Sequence, residues 1–508
     1  MTALSTRAEE TPPPVGAAGP ARGFATWALL LVWLLGVAYA AAAFAPPLGA
    51  GVKMGLAFNE MLANLLHGRF DISPQVIANE AFVRDGRTYA YFGVFCAILR
   101  APLLLAGRLD VDMTAASLLI AAAVSLACRL AAANLVLRKS EGADLPAALR
   151  VTLAVAIAAN GESLQFLHPS LYQEVVSWGA ALASVFVLLA LKMILGAAPR
   201  TAAAYGALAL VAGLALTCRV STGLGLYGAL GLMLAVEAWR GLRARRAISM
   251  MRRLAPAAVV LALFAGAVGG VNYARWGDPL SFSPLRYQAV TNRTYPDRMA
   301  RLETYGESNL RRVPFALQYY FTPVWAATDA RGEFILRDHQ VELFELVELP
   351  PGSIPLSDPV ICVLAAIGLW ALFARPAGVA DPALARAALA GLAVPGGLML
   401  TLGALCFRYR MEFYPALDFA GWLGLAALAS RARPLPKVAV PAFGGLAVAG
   451  MVVAAASLMA YAIVPFGTAT DFDTSRGWTG VIANRLEGRE LYRGHLMRDG
   501  SVVPLPKP

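Results

Sequence analysis

Apolar residues fill this chain in long unbroken runs, and the polar residues gather between them. A helix that crosses a bilayer needs about 20 predominantly apolar residues. Runs of that kind fall near 25–45, 113–137, 146–160, 174–196, 202–218, 220–238, 254–274, 359–375, 386–405, 414–430 and 438–464. The pattern predicts an all-α polytopic membrane protein with about 11 transmembrane helices. A β-barrel would show alternation over about ten residues per strand, not continuous runs. The stretch 92–108 is interrupted by Arg100, Pro102 and Arg108, and is expected to lie in the interface rather than to span. Before it, Leu56, Met61, Leu65 and Leu66 recur at near-helical spacing, which predicts an amphipathic helix along the membrane surface.

Orientation follows from the basic residues, because cytoplasmic loops carry an excess of Lys and Arg. With 92–108 not spanning, Arg7, Arg22, Arg138, Lys139, Lys192, Arg200, Arg375, Arg431, Arg433 and Lys437 share the side of the N-terminus. Arg240, Arg243, Arg245, Arg246, Arg252 and Arg253 join them. The N-terminus is therefore expected in the cytoplasm of a bacterial-type inner membrane. Residues 1–23 form a disordered cytoplasmic tail, 24–464 the transmembrane domain, and 465–508 an extracytoplasmic C-terminal tail. The outer loops are 46–112, 160–173 and 275–358. Ala38-Tyr39-Ala40 resembles a cleavage site, but the long leader before a run able to span reads as an uncleaved anchor.

Composition narrows the picture. Of 508 residues, 58% are apolar and 15% charged, against about 25% charged in soluble domains. Mean hydropathy is +0.60. The formal charge of +11 would suggest nucleic acid in a soluble protein, but here most of it is cytoplasmic arginine, so no nucleic-acid partner is expected. Five cysteines without metal spacing predict no structural disulfide. There is no phosphate-binding glycine loop and no HExxH motif, so a cytosolic nucleotide is not a direct substrate. No cofactor is expected, and the scattered acids give a divalent metal no clustered site.

The candidate chemistry sits in the outer loops, with the midplane read as almost wholly Ala, Leu, Val and Gly. Glu60, Asp71 and Glu80 are candidate catalytic carboxylates, since a carboxylate can take the proton of an acceptor hydroxyl. Asp85, Arg87, Tyr89 and Tyr91 follow in the same loop. Arginine binds phosphate through two parallel hydrogen bonds, and tyrosine stacks on sugar. A solvated loop with a turn at Asp85-Gly86 is the plainer explanation. Tyr172 and Glu174 open a helix, where the dipole alone would favour a carboxylate. Arg219, Arg408 and Arg410 lie outside against the charge rule, so each needs a reason. Arg408, Arg410 and Glu412 are expected either to pair with one another or to face a phosphate.

These residues carry a resemblance. Asn59-Glu60 with Ala63, Leu65-Leu66 and Gly68 resembles the "DE…A..LL.G" element of the GT-C superfamily of polyprenyl-phosphate-dependent glycosyltransferases. Gly86, Tyr89, Gly93 and Leu99-Arg100-Ala101-Pro102 resemble the segment that follows it. Tyr172, Glu174, Trp178, Arg219, Gly277-Asp278-Pro279 and Arg408-Tyr409 with Pro415 fit the later helix junctions. The resemblance implies a GT-C-like helical bundle with its catalytic cavity at the outer face. It implies transfer of a sugar from a polyprenyl-phosphate-linked donor to a lipid or cell-envelope glycan acceptor, with a first-loop acid as base. The usual acid of the family would fall near Lys53 to Gly55, where this chain has none. The base is then open among Glu60, Asp71 and Glu80, or absent, leaving an inactive relative. A transporter or flippase of a lipid-linked or anionic solute, and a polymerase or ligase relying on the outer arginines, are the other readings.

Overall fold

A computed structural model of the chain describes residues 54–139, isolated positions of 149–161, 169–294, 297–323, Leu336, 342–350, 352–374, 379–430, 436–463, 478–487, 494–496 and 502–504. The run 25–45 and most of 146–160 lie outside the described residues, as do the N-terminal tail and most of 465–508. Each of the other nine apolar runs contains a helix. The first surface element is α1 (Ala57–Leu66). The long helices are α2 (Thr114–Lys139), α3 (Leu171–Ile194), α4 (Ala202–Cys218), α5 (Val220–Arg243) and α6 (Ala247–Trp276). After the outer segment come α7 (Pro359–Ala374), α8 (Pro382–Met399), α9 (Tyr414–Ala429) and α10 (Ala439–Ile463). Six of these (α2, α3, α5, α6, α8 and α10) are both long and apolar enough to cross a membrane, which makes this a multi-pass membrane protein.

Two expectations shift, for α1 and for the run 386–405. The stretch 92–108 folds as two short helices, Phe95–Ile98 and Ala101–Leu105, with Pro102 in the first turn of the second. Eleven residues of helix reach only about 16 Å, half the bilayer core of about 30 Å. The apolar stripe of α1 is rotated from its expected position: Ala57, Phe58, Met61 and Leu62 are buried, while Leu56 and Leu66 are exposed. The run 386–405 ceases to be helical after Met399, and its last residues, Ala404–Leu405, form a strand instead.

The helices pack through small residues, as bundles in lipid do. A Cβ at Gly368 would overlap the Ala420 carbonyl, and one at Gly424 the Leu364 carbonyl, so α7 and α9 meet backbone to backbone. The first loop is held down by a buried ion pair. Arg100 gives two parallel hydrogen bonds to Glu174 on α3, both 2.8 Å, and its Nε donates to Asn59 Oδ1 at 3.1 Å. Both charged side chains are fully buried. Asn59 also donates to the carbonyls of Leu109 and Val111, closing α1 onto the loop that leads into α2.

Two opposite ends of the bundle carry charge. At one, Glu237 on α5 and Asp381 before α8 gather Arg200, Arg240 and Arg253. Burial works to raise the Asp381 carboxyl, but hydrogen bonds from Arg240 and the Leu384 amide, with the charge of Arg200, outweigh it and hold it at about 2. At the other end lie the start of α3, the α4–α5 and α6 ends, and the segment before α9. A pair buried within the helices corrects the view of an all-apolar interior. Arg129 on α2 meets Asp418 on α9 at 2.8 Å. Both line a small cavity of about 30 Å³ walled by Leu153, Val360, Leu364, Trp422 and Met451.

Candidate active site

The residues 407–412, a short 3-10 helix between α8 and α9, form the hub of the second charged end. In Arg408-Tyr409-Arg410-Met411-Glu412 the charged residues do not pair with one another. Each finds a partner elsewhere in the chain. Arg408 Nη1 donates to Glu348 Oε1 at 2.6 Å. Arg410 donates to Asp358 at 3.0 Å and to the Tyr414 hydroxyl at 2.8 Å, and bonds Ser357. Glu412 pairs with Arg219 and accepts from Ser221 at 2.8 Å and Thr222 at 2.9 Å. Arg219 ends the junction between α4 and α5, where the helix is broken and its backbone is extended.

This arrangement aims two arginines at one aromatic patch. The Arg408 guanidinium lies 4.9 Å from the Tyr172 ring centre and 5.2 Å from that of Tyr409, and Arg219 lies 5.4 Å from Tyr409. Cation–ring contacts of this length are attractive and hold the guanidinium plane. Tyr172 opens α3, one position into the helix after the Ser170 cap, whose side chain accepts from Gln173. Phe92 packs edge-on to Tyr172 at 5.9 Å and stacks with Tyr91 at 4.2 Å. At Gly93 a Cβ would overlap the carbonyls of Thr217 and Cys218, so the loop can lie directly against the end of α4.

One carboxylate completes the cluster. Glu80 is half-buried, accepts from Gln288 Nε2 at 3.0 Å and hydrogen-bonds the Tyr172 hydroxyl. Burial pushes the Tyr91 phenol well above its usual value. The charge of Glu80 adds to this, while Arg408 and Arg219 oppose it. Glu80, Tyr91, Tyr172, Arg219, Arg408 and Tyr409 therefore feel one another's charges and share one place, built from five separated stretches of sequence.

The other sequence candidates lie apart from it. Glu60 uses both carboxylate oxygens on Ser73, accepting from its amide at 2.7 Å and its hydroxyl at 2.6 Å. Asp71 is half-buried, and its carbonyl accepts from Asn64. Asp85 and Arg87 stand at the exposed tip of a hairpin of β1 (Phe82–Arg84) and β2 (Arg87–Tyr89), where Asp85 and Gly86 both have positive φ. Tyr89 is buried against Trp276 at 5.6 Å. Glu174 is taken by Arg100, and Arg410 faces Asp358 rather than the tyrosines.

Sequence reasoning missed Glu348, Gln288 and Asp358. Glu348 is brought in by the pairing of β3 (Leu346–Val347) in parallel with β4 (Ala404–Leu405). No group of three or more metal-binding side chains occurs among the described residues.

No family model matches the chain, and no curated protein matches it. Two solved structures that it resembles are of oligosaccharyltransferases from the archaeon Archaeoglobus fulgidus, one of them AglB. One, in complex with an inhibitory peptide and a dolichol-phosphate, has a TM-score of 0.45 and 14% identity. The other, tethered to an acceptor peptide, has a TM-score of 0.42 and 14% identity. Each covers 96% of this chain, which spans only 62% and 61% of theirs.

Proposed function

We propose that this protein is a membrane glycosyltransferase. It moves a hexosyl or pentosyl unit from a polyprenyl-phosphate donor to a lipid or cell-envelope glycan at the outer face of an inner membrane. The observation that carries this reading is the convergence of Arg219, Arg408 and Glu80 on Tyr91, Tyr172 and Tyr409. The motif resemblance of the first loop agrees with it. About 11 spans, with the N-terminus cytoplasmic, would put this end of the bundle outside.

The chemistry fits the groups present. The acceptor hydroxyl oxygen bonds to the anomeric carbon as the bond from that carbon to the lipid phosphate breaks. The acceptor proton passes to the Glu80 carboxylate, held by Tyr172 and Gln288. The bonding electrons leave with the phosphate, whose growing charge faces Arg219 and Arg408. Preorganised cations at the point where charge develops are among the largest contributions to catalysis. Displacement from the face opposite the phosphate inverts the anomeric centre. Of the three candidate bases, Glu80 is favoured, because it bonds Gln288 and Tyr172 at the cluster while Glu60 is committed to Ser73.

Transfer from a polyprenyl-phosphate sugar into purified membranes tests this. Glu80→Gln is expected to lower turnover by about 100-fold or more, the range of general-base catalysis. Glu60→Gln and Asp71→Asn are expected to stay within a few-fold of the parent. Full activity in Glu80→Gln would remove Glu80 from the base role. A second reading, a lipid or anion transporter, is favoured by the buried Arg129–Asp418 pair beside a cavity, since ionisable residues within spanning helices often mark a solute path. Flux into liposomes without any acceptor would support that reading against the first.

A further inference from the structure

We infer that Glu348, which no sequence motif marks, is the positioning residue for Arg408. The inference rests on the reading of Arg408 as a contact of the lipid phosphate. Glu348 bridges the arginine to its own backbone. Oε1 accepts from Arg408 Nη1 at 2.6 Å, and Oε2 accepts from the Phe407 amide at 2.8 Å. A carboxylate that holds both a side chain and the preceding peptide fixes the rotamer relative to the main chain. An unheld arginine would lose this order, because its side chain has several rotatable bonds. The guanidinium is thereby turned to the Tyr172 and Tyr409 rings.

The carboxylate is itself fixed from behind. Its own amide donates to the Leu405 carbonyl at 2.8 Å, continuing the β3–β4 pairing. Upstream, Arg312 donates to the carbonyls of Leu343, Gly306, Glu307 and Thr401, which bolts residue 343 and residue 401 to one side chain. Glu348 is 1% exposed among Val347, Leu349, Leu405 and Tyr320. A charge placed in such surroundings is costly unless it is paired. Its two carboxylate oxygens pair with the arginine and a peptide amide of the 407–412 segment. Through this carboxylate the placement of the outer segment becomes the placement of a cation.

A double-mutant cycle tests this with farnesyl phosphate as the probe, binding measured on the full-length protein in detergent. Arg408→Ala and Glu348→Ala are each expected to weaken binding by about tenfold, the scale of a charge-assisted hydrogen bond. The double variant is expected to bind no more weakly than Arg408→Ala. A merely structural role for Glu348 would instead give additive losses, which would overturn the inference. A loss in Arg408→Ala with none in Glu348→Ala would overturn it too, and would leave the lipid-phosphate reading standing. No loss in Arg408→Ala would overturn both. If Glu348→Ala does not fold, Glu348→Gln, which keeps an acceptor for the Phe407 amide and removes the charge, takes its place in the cycle.

Discussion

Glu174 shows how one residue separates structure from chemistry. As a carboxylate in the first turn of a helix it could have faced a substrate. Its partner Arg100 lies 74 positions earlier, in a stretch whose own sequence gives no hint of the pairing. Breaking a buried ion pair leaves an uncompensated charge and costs about 3–5 kcal/mol. Glu174→Ala is therefore expected to lower the melting temperature sharply in detergent. The pair Arg100→Met with Glu174→Leu is expected to recover most of the stability and to keep transfer activity. Loss of activity in a stably folded double variant would return Glu174 to the site. Arg219 and Arg408 stood out in the sequence because they break the charge rule on the side where the run pattern puts them. Glu348, Asp358 and Gln288 did not, because each acts across tens to hundreds of positions and sits in an unremarkable local pattern.

At the scale of elements, punctuation was more legible than register. Asp85-Gly86 was readable as a turn, and both residues adopt the positive φ that such a tight hairpin turn needs. Arg100 and Pro102 were readable as breaks in an apolar run, and the run is broken there. The two-residue strands β3 and β4 were not readable, since strand patterning needs more positions than they have. The hairpin gives a direct test. Asp85→Ala and Arg87→Ala at the exposed tip are expected to leave transfer within about twofold, whereas Tyr89→Ala should destabilise the loop through lost packing on Trp276. Strong, selective loss of activity at the tip would redraw the site. The charged network beneath α5 and α8 has a pH signature. Asp381 has a folded value of about 2, below an unfolded value of about 3.9. Its stabilisation is present above about pH 4 and is lost as the pH falls toward 2. The stability difference between the parent and Asp381→Asn is expected to shrink over that interval in thermal melts. A constant difference would contradict the assignment.

For the whole molecule, the helical, multi-pass character was legible because the apolar runs are long and continuous. What composition could not show is the ionic interior, where Arg129 and Asp418 meet across 289 positions. The topology has a simple readout. A cysteine introduced at Arg87 is expected to react with a membrane-impermeant maleimide applied to the outer face, and one at Arg245 only after permeabilisation. The reverse pattern would invert the protein and put the cluster in the cytoplasm.

The pairing of Arg219 with Glu412 also fixes a sequence of events in biosynthesis. The arginine leaves the ribosome 193 residues before its partner. At about 5–20 residues per second, that is an interval of roughly 10–40 s. Throughout it the nascent α4–α5 hairpin carries a charge whose neutralising group does not yet exist. Water or an anionic headgroup has to serve until α8 and the following turn arrive. The cluster therefore becomes whole only after α2 to α8 have been made, and a chain stalled before residue 412 holds those helices without a finished site.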